Sequence, residues 1–250
     1  MPWPLPKESA ERLALAKGYP YPAPPKSYLL SAGAVRPLEA GEAARSVAGR
    51  QPVIAHGSNR SPEQLLRKYG ATAEIPVTYA WLADYDVVYA AHVTRYASIA
   101  STLHHAPGCA VRIAVTWLDA VQLRRMHETE GAKYLYGALE GASFACELGL
   151  SARLAAAPPT LYLYRLGALA EAGAPLGLAA LEARNRRHAA RDQLAILEWV
   201  RARHHGAEAL DALLLSLQDE AGWPRRRALA KLLEAEALAM TAPHFREIGR

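Results

Sequence analysis

Val53-Ile54-Ala55-His56-Gly57-Ser58-Asn59-Arg60-Ser61-Pro62-Glu63-Gln64-Leu65 reads as a strand, a tight turn and the start of a helix. Pro52 to Ala55 is a short apolar run that ends at Gly57. Ser61 is a residue type that caps helices, Pro62 suits the first helical position, and Gln64 stands where a capping box needs it. A strand that enters a capped helix within four residues leaves backbone N–H groups unpaired at the positive end of a helix dipole. That junction suits a carboxylate or a phosphate. Gly57 lets a ligand approach the backbone closely, and Ser58 and Asn59 add side-chain donors. The same composition also makes an ordinary connecting turn.

A second segment, Leu123-Arg124-Arg125-Met126-His127-Glu128-Thr129-Glu130-Gly131-Ala132-Lys133-Tyr134, contains a helix end near Gly131 and two carboxylates two residues apart. That spacing puts Glu128 and Glu130 on different helix faces, so one can point inward while the other is solvated. A desolvated glutamate is expected to have a raised pKa and to serve as a base and then an acid near neutral pH. A solvated pair beside Arg124 and Arg125 is the plainer alternative.

Outward from these segments, residues 51–167 alternate strands and helices. Val77 to Tyr89 is β-branched and aromatic, with Asp84 at a turn or bulge. Val111, Ile113, Val115 and Trp117 alternate with Arg112, Ala114 and Thr116, the period of a half-buried strand. Asp119 caps a short helix running toward Met126, and Leu161 and Leu163 alternate with Tyr162 and Tyr164 in a last strand. Residues 1–50 form a proline-rich arm, with a short helix over Glu8 to Lys17 ahead of Tyr19-Pro20-Tyr21-Pro22-Ala23-Pro24-Pro25. The arm packs on the domain or stays mobile, with a proline-recognising partner as the lesser possibility. Residues 168–250 read as a helical extension, because Leu194, Leu197, Val200 and then Leu210, Leu213, Leu214, Leu217 recur at helical spacing.

Gly57-Ser58-Asn59-x-Ser61-Pro62-Glu63-Gln64-Leu65, some seventy residues ahead of Glu130-Gly131-x-x-Tyr134, resembles the γ-glutamylcyclotransferase superfamily. Tyr96-Ala97-Ser98-Ile99-Ala100-Ser101-Thr102 looks like that family's small-residue strand. Pro107-Gly108 with the strand after it looks like its next hairpin. The resemblance covers about 51–165. It implies an α/β fold, a small mixed barrel-like sheet with flanking helices. It also implies a loop, His56 to Asn59, that holds a γ-glutamyl group, and a glutamate that acts as acid and base. The Glu-Gly-x-x-Tyr context favours Glu130 over Glu128 for that role, and Tyr134 would orient the substrate or the carboxylate. The implied reaction cyclises the γ-glutamyl group to 5-oxoproline and releases an amine, without a cofactor. His56 departs from the aromatic residue usual before the glycine. It is a structural histidine, a partner for Glu130, or a sign that the loop takes another ligand. A non-catalytic module of the same fold, recognising an acidic metabolite or peptide end, is the alternative.

Composition agrees with a globular protein, since 51% apolar and 21% charged residues exclude a disordered chain. The net charge of +5 is spread along the chain and singles out no partner. Arg184-x-Arg186-Arg187-His188-x-x-Arg191 and Arg225-Arg226-Arg227 are expected on solvated helix faces, so no nucleic acid is expected. Cys109 and Cys146 form neither a disulfide framework nor a metal spacing, and His104-His105 are expected on a surface loop. Met1 to Pro6 lacks the features of a leader, and no apolar run is long enough to span a membrane. The expectation is a cytoplasmic protein acting on a small γ-glutamyl substrate, with no oligomeric state specified.

Overall fold

The computed structural model describes residues 4–218 and 220–249; Met1 to Trp3, half of the stretch read for a leader, lie outside them. The fold is mixed α+β. The first fifty residues hold α1 (Ser9–Lys17), the hairpin β1 (Tyr28–Ser31) and β2 (Ala34–Pro37), and α2 (Ala40–Ser46). Next come β3 (Gln51–Ala55), a 3-10 turn at Ser58–Arg60, α3 (Pro62–Tyr69), β4 (Ile75–Val93), β5 (Ile99–Leu118) and α4 (Ala120–Thr129). Then follow β6 (Tyr134–Leu139), β7 (Phe144–Cys146), α5 (Ser151–Ala156) and β8 (Thr160–Tyr164).

The tail departs from the expectation of an all-helical extension. It begins with five two-residue strands, β9 (Ala170–Glu171), β10 (Ala174–Pro175), β11 (Gly177–Leu178), β12 (Ala183–Arg184) and β13 (Ala190–Arg191). Helices α6 (Gln193–His204), α7 (Leu210–Gln218) and α8 (Trp223–Ala235) follow, and β14 (Phe245–Glu247) closes the chain. Residues 167–177 contain three glycines and a proline, too closely spaced for a helix to nucleate. The segment instead covers the edge of the long hairpin, with β11 on β4 and β12 on β5. Arg184, Arg186, Arg187, His188 and Arg191 are therefore on strands and loops rather than on a helix.

Among the described residues twelve strands form one mixed sheet in the order β13-β11-β4-β5-β3-β8-β6-β14, with β1, β2, β7 and β12 branching from it. Strand β3 is central, antiparallel to β5 and parallel to β8. The β4–β5 ribbon is broken twice, where four residues of β5, 106–109, lie opposite Asp84 and where three residues of β4, 90–92, lie opposite Ala100. Gly108 takes φ +77 at the first break, and its N–H donates to Asp84 Oδ1 at 2.8 Å. Pro107-Gly108 thus makes a bulge inside one strand and not the turn of a hairpin. For the same reason His104 and His105 lie within β5, and His104 is buried rather than on a loop.

One apolar core unites all three stretches of the chain. Leu15, Tyr19, Tyr21 and Leu38 from the first fifty residues pack with Ile54, Tyr89, Val115 and Trp117 of the sheet, and with Ile196, Leu213 and Leu229 of the tail. Gln218 of α7 makes the joint explicit: its Nε2 donates to the carbonyls of Arg12 and Tyr96, both at 2.8 Å. The N-terminal stretch is therefore built into the fold. No helix among the described residues is long and apolar enough to cross a membrane.

Candidate active site

Strand β3 delivers His56, Gly57, Ser58 and Asn59 to the end of the sheet between β5 and β8. The chain then tightens into the 3-10 turn, where the Arg60 N–H bonds the Gly57 carbonyl at 3.4 Å. The amides of Ser58 and Asn59 precede that first bonded N–H, and neither donates to a backbone carbonyl among the described residues. Ser61 opens α3 through its carbonyl, which takes the Leu65 N–H at 3.0 Å. Its side chain makes no cap, so the expected capping box does not form: Ser61 Oγ is buried without a partner.

Helix α4 is capped by Asp119, whose carboxylate accepts the N–H groups of Val121 and Gln122. It ends at Glu130, where the backbone turns extended (φ −85°, ψ 127°). Glu130 is thereby brought to the loop from 71 residues away: Asn59 Nδ2 donates to its Oε1 at 3.1 Å. Lys68 of α3 completes a triangle, donating to Glu130 Oε1 at 3.2 Å and to Asn59 Oδ1 at 2.9 Å. The two charged side chains are sequestered, with exposures of 9% for Lys68 and 17% for Glu130. Glu128, in contrast, is 63% exposed and pairs with Arg125.

The electrostatics differ from the expectation of a raised carboxyl. Burial does push the Glu130 pKa up, but the Lys68 ammonium and the hydrogen bonds from Asn59 and Lys68 overcome it, with His56 adding to them. The net shift is downward, so Glu130 is a carboxylate through the neutral range. Burial acts the other way on Lys68 and pulls its pKa down against the attraction of Glu130.

His56 spends both ring nitrogens within the protein. Nε2 donates to the Tyr162 carbonyl at 3.0 Å, and Nδ1 lies 3.2 Å from Ser101 Oγ, whose one proton is shared between Nδ1 and the His56 carbonyl at 3.1 Å. Burial lowers its pKa, so the ring is neutral. Ser101 is in turn held by Tyr19, whose hydroxyl donates to Ser101 Oγ at 2.6 Å and accepts the Ser101 N–H at 2.9 Å. Burial raises the Tyr19 hydroxyl to about 12. A Cβ built on Gly57 would overlap Tyr19 Oη and stand 3.1 Å from Ser101 Oγ. Gly57→Ala is therefore expected to destabilise the fold by about 1–3 kcal/mol through overpacking. Thermal unfolding beside the wild type measures it, and an unchanged midpoint would contradict the close approach.

These groups line a cavity of about 470 Å³. His92, Arg95, Tyr96, Lys133 and Tyr134 also line it. Tyr134 is half-buried, and its hydroxyl pKa is raised well above normal by desolvation first and then by Tyr19 and Glu130. His92 stacks on Tyr164, and burial lowers its pKa to about 4. Lys133 is neutralised by Glu234 of α8. Among the described residues no cluster of three His, Cys, Asp or Glu could hold a metal ion.

The cavity thus gathers His56, Gly57, Ser58, Asn59, Glu130 and Tyr134, and adds two residues that sequence reading passed over. Lys68 had a legible signal, since Gln64 and Lys68 are four apart on the helix that starts at the loop. Tyr19 had none, because nothing in a Tyr-Pro-Tyr-Pro stretch says where it docks. Comparison with known protein families, curated proteins and solved structures finds no match for this chain.

Proposed function

We propose that the chain is a γ-glutamylcyclotransferase-like enzyme that closes a γ-glutamyl group into 5-oxoproline and releases an amine. The observation that carries this reading is the Glu130 carboxylate beside Asn59 at 3.1 Å, lining the same cavity as the Gly57-Ser58-Asn59 loop. In the proposed mechanism the amides of Ser58 and Asn59 hold the substrate carboxylate. Glu130 takes a proton from the α-ammonium, and the freed amine attacks the γ-carbonyl carbon. The departing nitrogen is then protonated and leaves. The barrel-like curvature of the family sheet belongs to the same reading.

Energetics bear on whether so acidic a base suffices. Moving a proton from an α-ammonium to a carboxylate held below its usual range is uphill. Holding amine and carbonyl together in one folded substrate contributes about 7–11 kcal/mol. That intramolecular advantage works against the uphill proton transfer to an ionised Glu130. The Lys68–Glu130 pair also favours a second reading, a non-catalytic module in which the carboxylate is only part of an ionic wall. A panel of γ-glutamyl dipeptides, γ-glutamyl amines and glutathione decides between them. Release of 5-oxoproline from any member supports the enzyme, and binding without turnover supports the module.

A further inference from the structure

Building on the cyclase reading, we propose that Lys68 is the general acid of the ring closure, giving a proton to the departing nitrogen while Glu130 serves as the base. Three contacts surround the Lys68 ammonium: Glu130 Oε1 at 3.2 Å, Asn59 Oδ1 at 2.9 Å and Met126 Sδ at 2.9 Å. The first two orient the amine. The third is a thioether, a weak acceptor that a substrate nitrogen displaces at little cost. Lys68 also lines the cavity. Glu130, held ionised by its neighbours, is suited to accept a proton; a buried ammonium, made more acidic by its surroundings, is suited to give one. The charged groups acting on Lys68 are Glu130 and, from α4, Arg125, which also favours loss of the proton.

The step balances without an outside reactant. Two protons leave the α-nitrogen, one before attack and one as the lactam forms, and both end on the amine. Glu130 takes the first, and the ring C–N bond forms with the negative charge on the γ-carbonyl oxygen. As the carbonyl re-forms, the bond to the departing nitrogen breaks and its electron pair takes the Lys68 proton. Neutral Lys68 then recovers the proton that Glu130 holds across their 3.2 Å contact. Glu130, a carboxylate again, accepts the second proton from the lactam nitrogen and passes it to the amine, which departs as an ammonium ion.

The test is a series of γ-glutamyl amides whose leaving amines run from an alkylamine to 4-nitroaniline. It is applied to the wild type, Glu130→Gln, Lys68→Arg and Lys68→Met. Departure of 4-nitroaniline needs little help from an acid. The wild type should show a shallow dependence of kcat on amine basicity. Both Lys68 variants should lose about 100-fold or more on the alkylamide and less than about 10-fold on the nitroanilide. Lys68→Arg retains the charge beside Glu130 and removes the acidity, so it separates acid from counter-ion. Equal losses along the series, or activity restored in full by Arg, would overturn the proposal and make Lys68 a positioning residue. Should neither variant fold, a steep dependence in the wild type alone overturns it, and a shallow one upholds it. A wild type inactive on every amide overturns the cyclase reading and this inference together. Turnover lost in Glu130→Gln but untouched in Lys68→Arg and Lys68→Met removes only this inference.

Discussion

Glu130→Gln is expected to lower 5-oxoproline release by about 1,000-fold, within the range general acid–base groups contribute. Gln keeps the shape, and its amide oxygen can still accept from Asn59 and Lys68, which now reach Glu130 at 3.1 and 3.2 Å. It cannot take up a proton. The loss should therefore fall on kcat, with KM little changed, because the loop amides proposed to hold the substrate are untouched. A stability change accompanies it. Lys68 loses its counter-charge while 9% exposed, and breaking a buried pair costs about 3–5 kcal/mol when the remaining charge stays. The lysine escapes part of that by releasing its proton, so a smaller fall in the unfolding midpoint, larger at low pH than at high pH, should be measured. The variant must still fold for the kinetic result to count, and circular dichroism with the same thermal scan establishes this.

Asp86→Ala is expected to destabilise the protein by about 3–5 kcal/mol without touching the cavity. Asp86 on β4 has 0% exposure of its side chain. Its carboxylate receives Arg186 through Nε at 2.6 Å and Nη2 at 2.8 Å, His188 Nε2 at 2.8 Å, and the Val87 N–H at 2.8 Å. Removing it strands a guanidinium only 14% exposed. Burial pushes the Asp86 pKa up, but His188 and Arg186 reverse this and the net shift is downward. This stability is present above the ordinary aspartate pKa of about 3.9 and is lost as pH falls through the depressed value. Denaturant titration at neutral pH should show the full difference between wild type and variant, and titration in strong acid should show it shrinking. An unchanged midpoint at neutral pH would mean that the 177–191 excursion does not depend on this cluster.

That cluster shows where sequence reading ran out. Asp86 sits in a strand-like run, and Arg186 and His188 lie a hundred residues on in what looked like a charged helix. Their meeting is a product of the β11 and β12 excursion, which composition conceals because Ala and Leu suit both states. Local signals served better. Asp119 does cap α4, Leu161 to Tyr164 do form a strand, and the helix over residues 193–204 begins where its periodicity begins. The Pro107-Gly108 pair was legible as a backbone irregularity but not as a bulge, since only the partner strand decides whether a chain reverses there. At the site, the loop and Glu130 were legible from their order along the chain. The direction of the Glu130 pKa was not, because it depends on Lys68, a surface-type residue that packing turned inward. Tyr19 came from a stretch read as an arm, and packing made it the wall behind Gly57.

5-Oxoproline is the product that separates ring closure from simple hydrolysis of the γ-glutamyl bond. Nuclear magnetic resonance of wild-type protein with an isotopically labelled γ-glutamyl dipeptide follows that product directly. Equal amounts of 5-oxoproline and free amino acid, formed at a rate lost in Glu130→Gln, is the result predicted from the Glu130 carboxylate beside Asn59. Free glutamate in place of 5-oxoproline, or an unchanged spectrum across the whole panel of γ-glutamyl compounds, would contradict it.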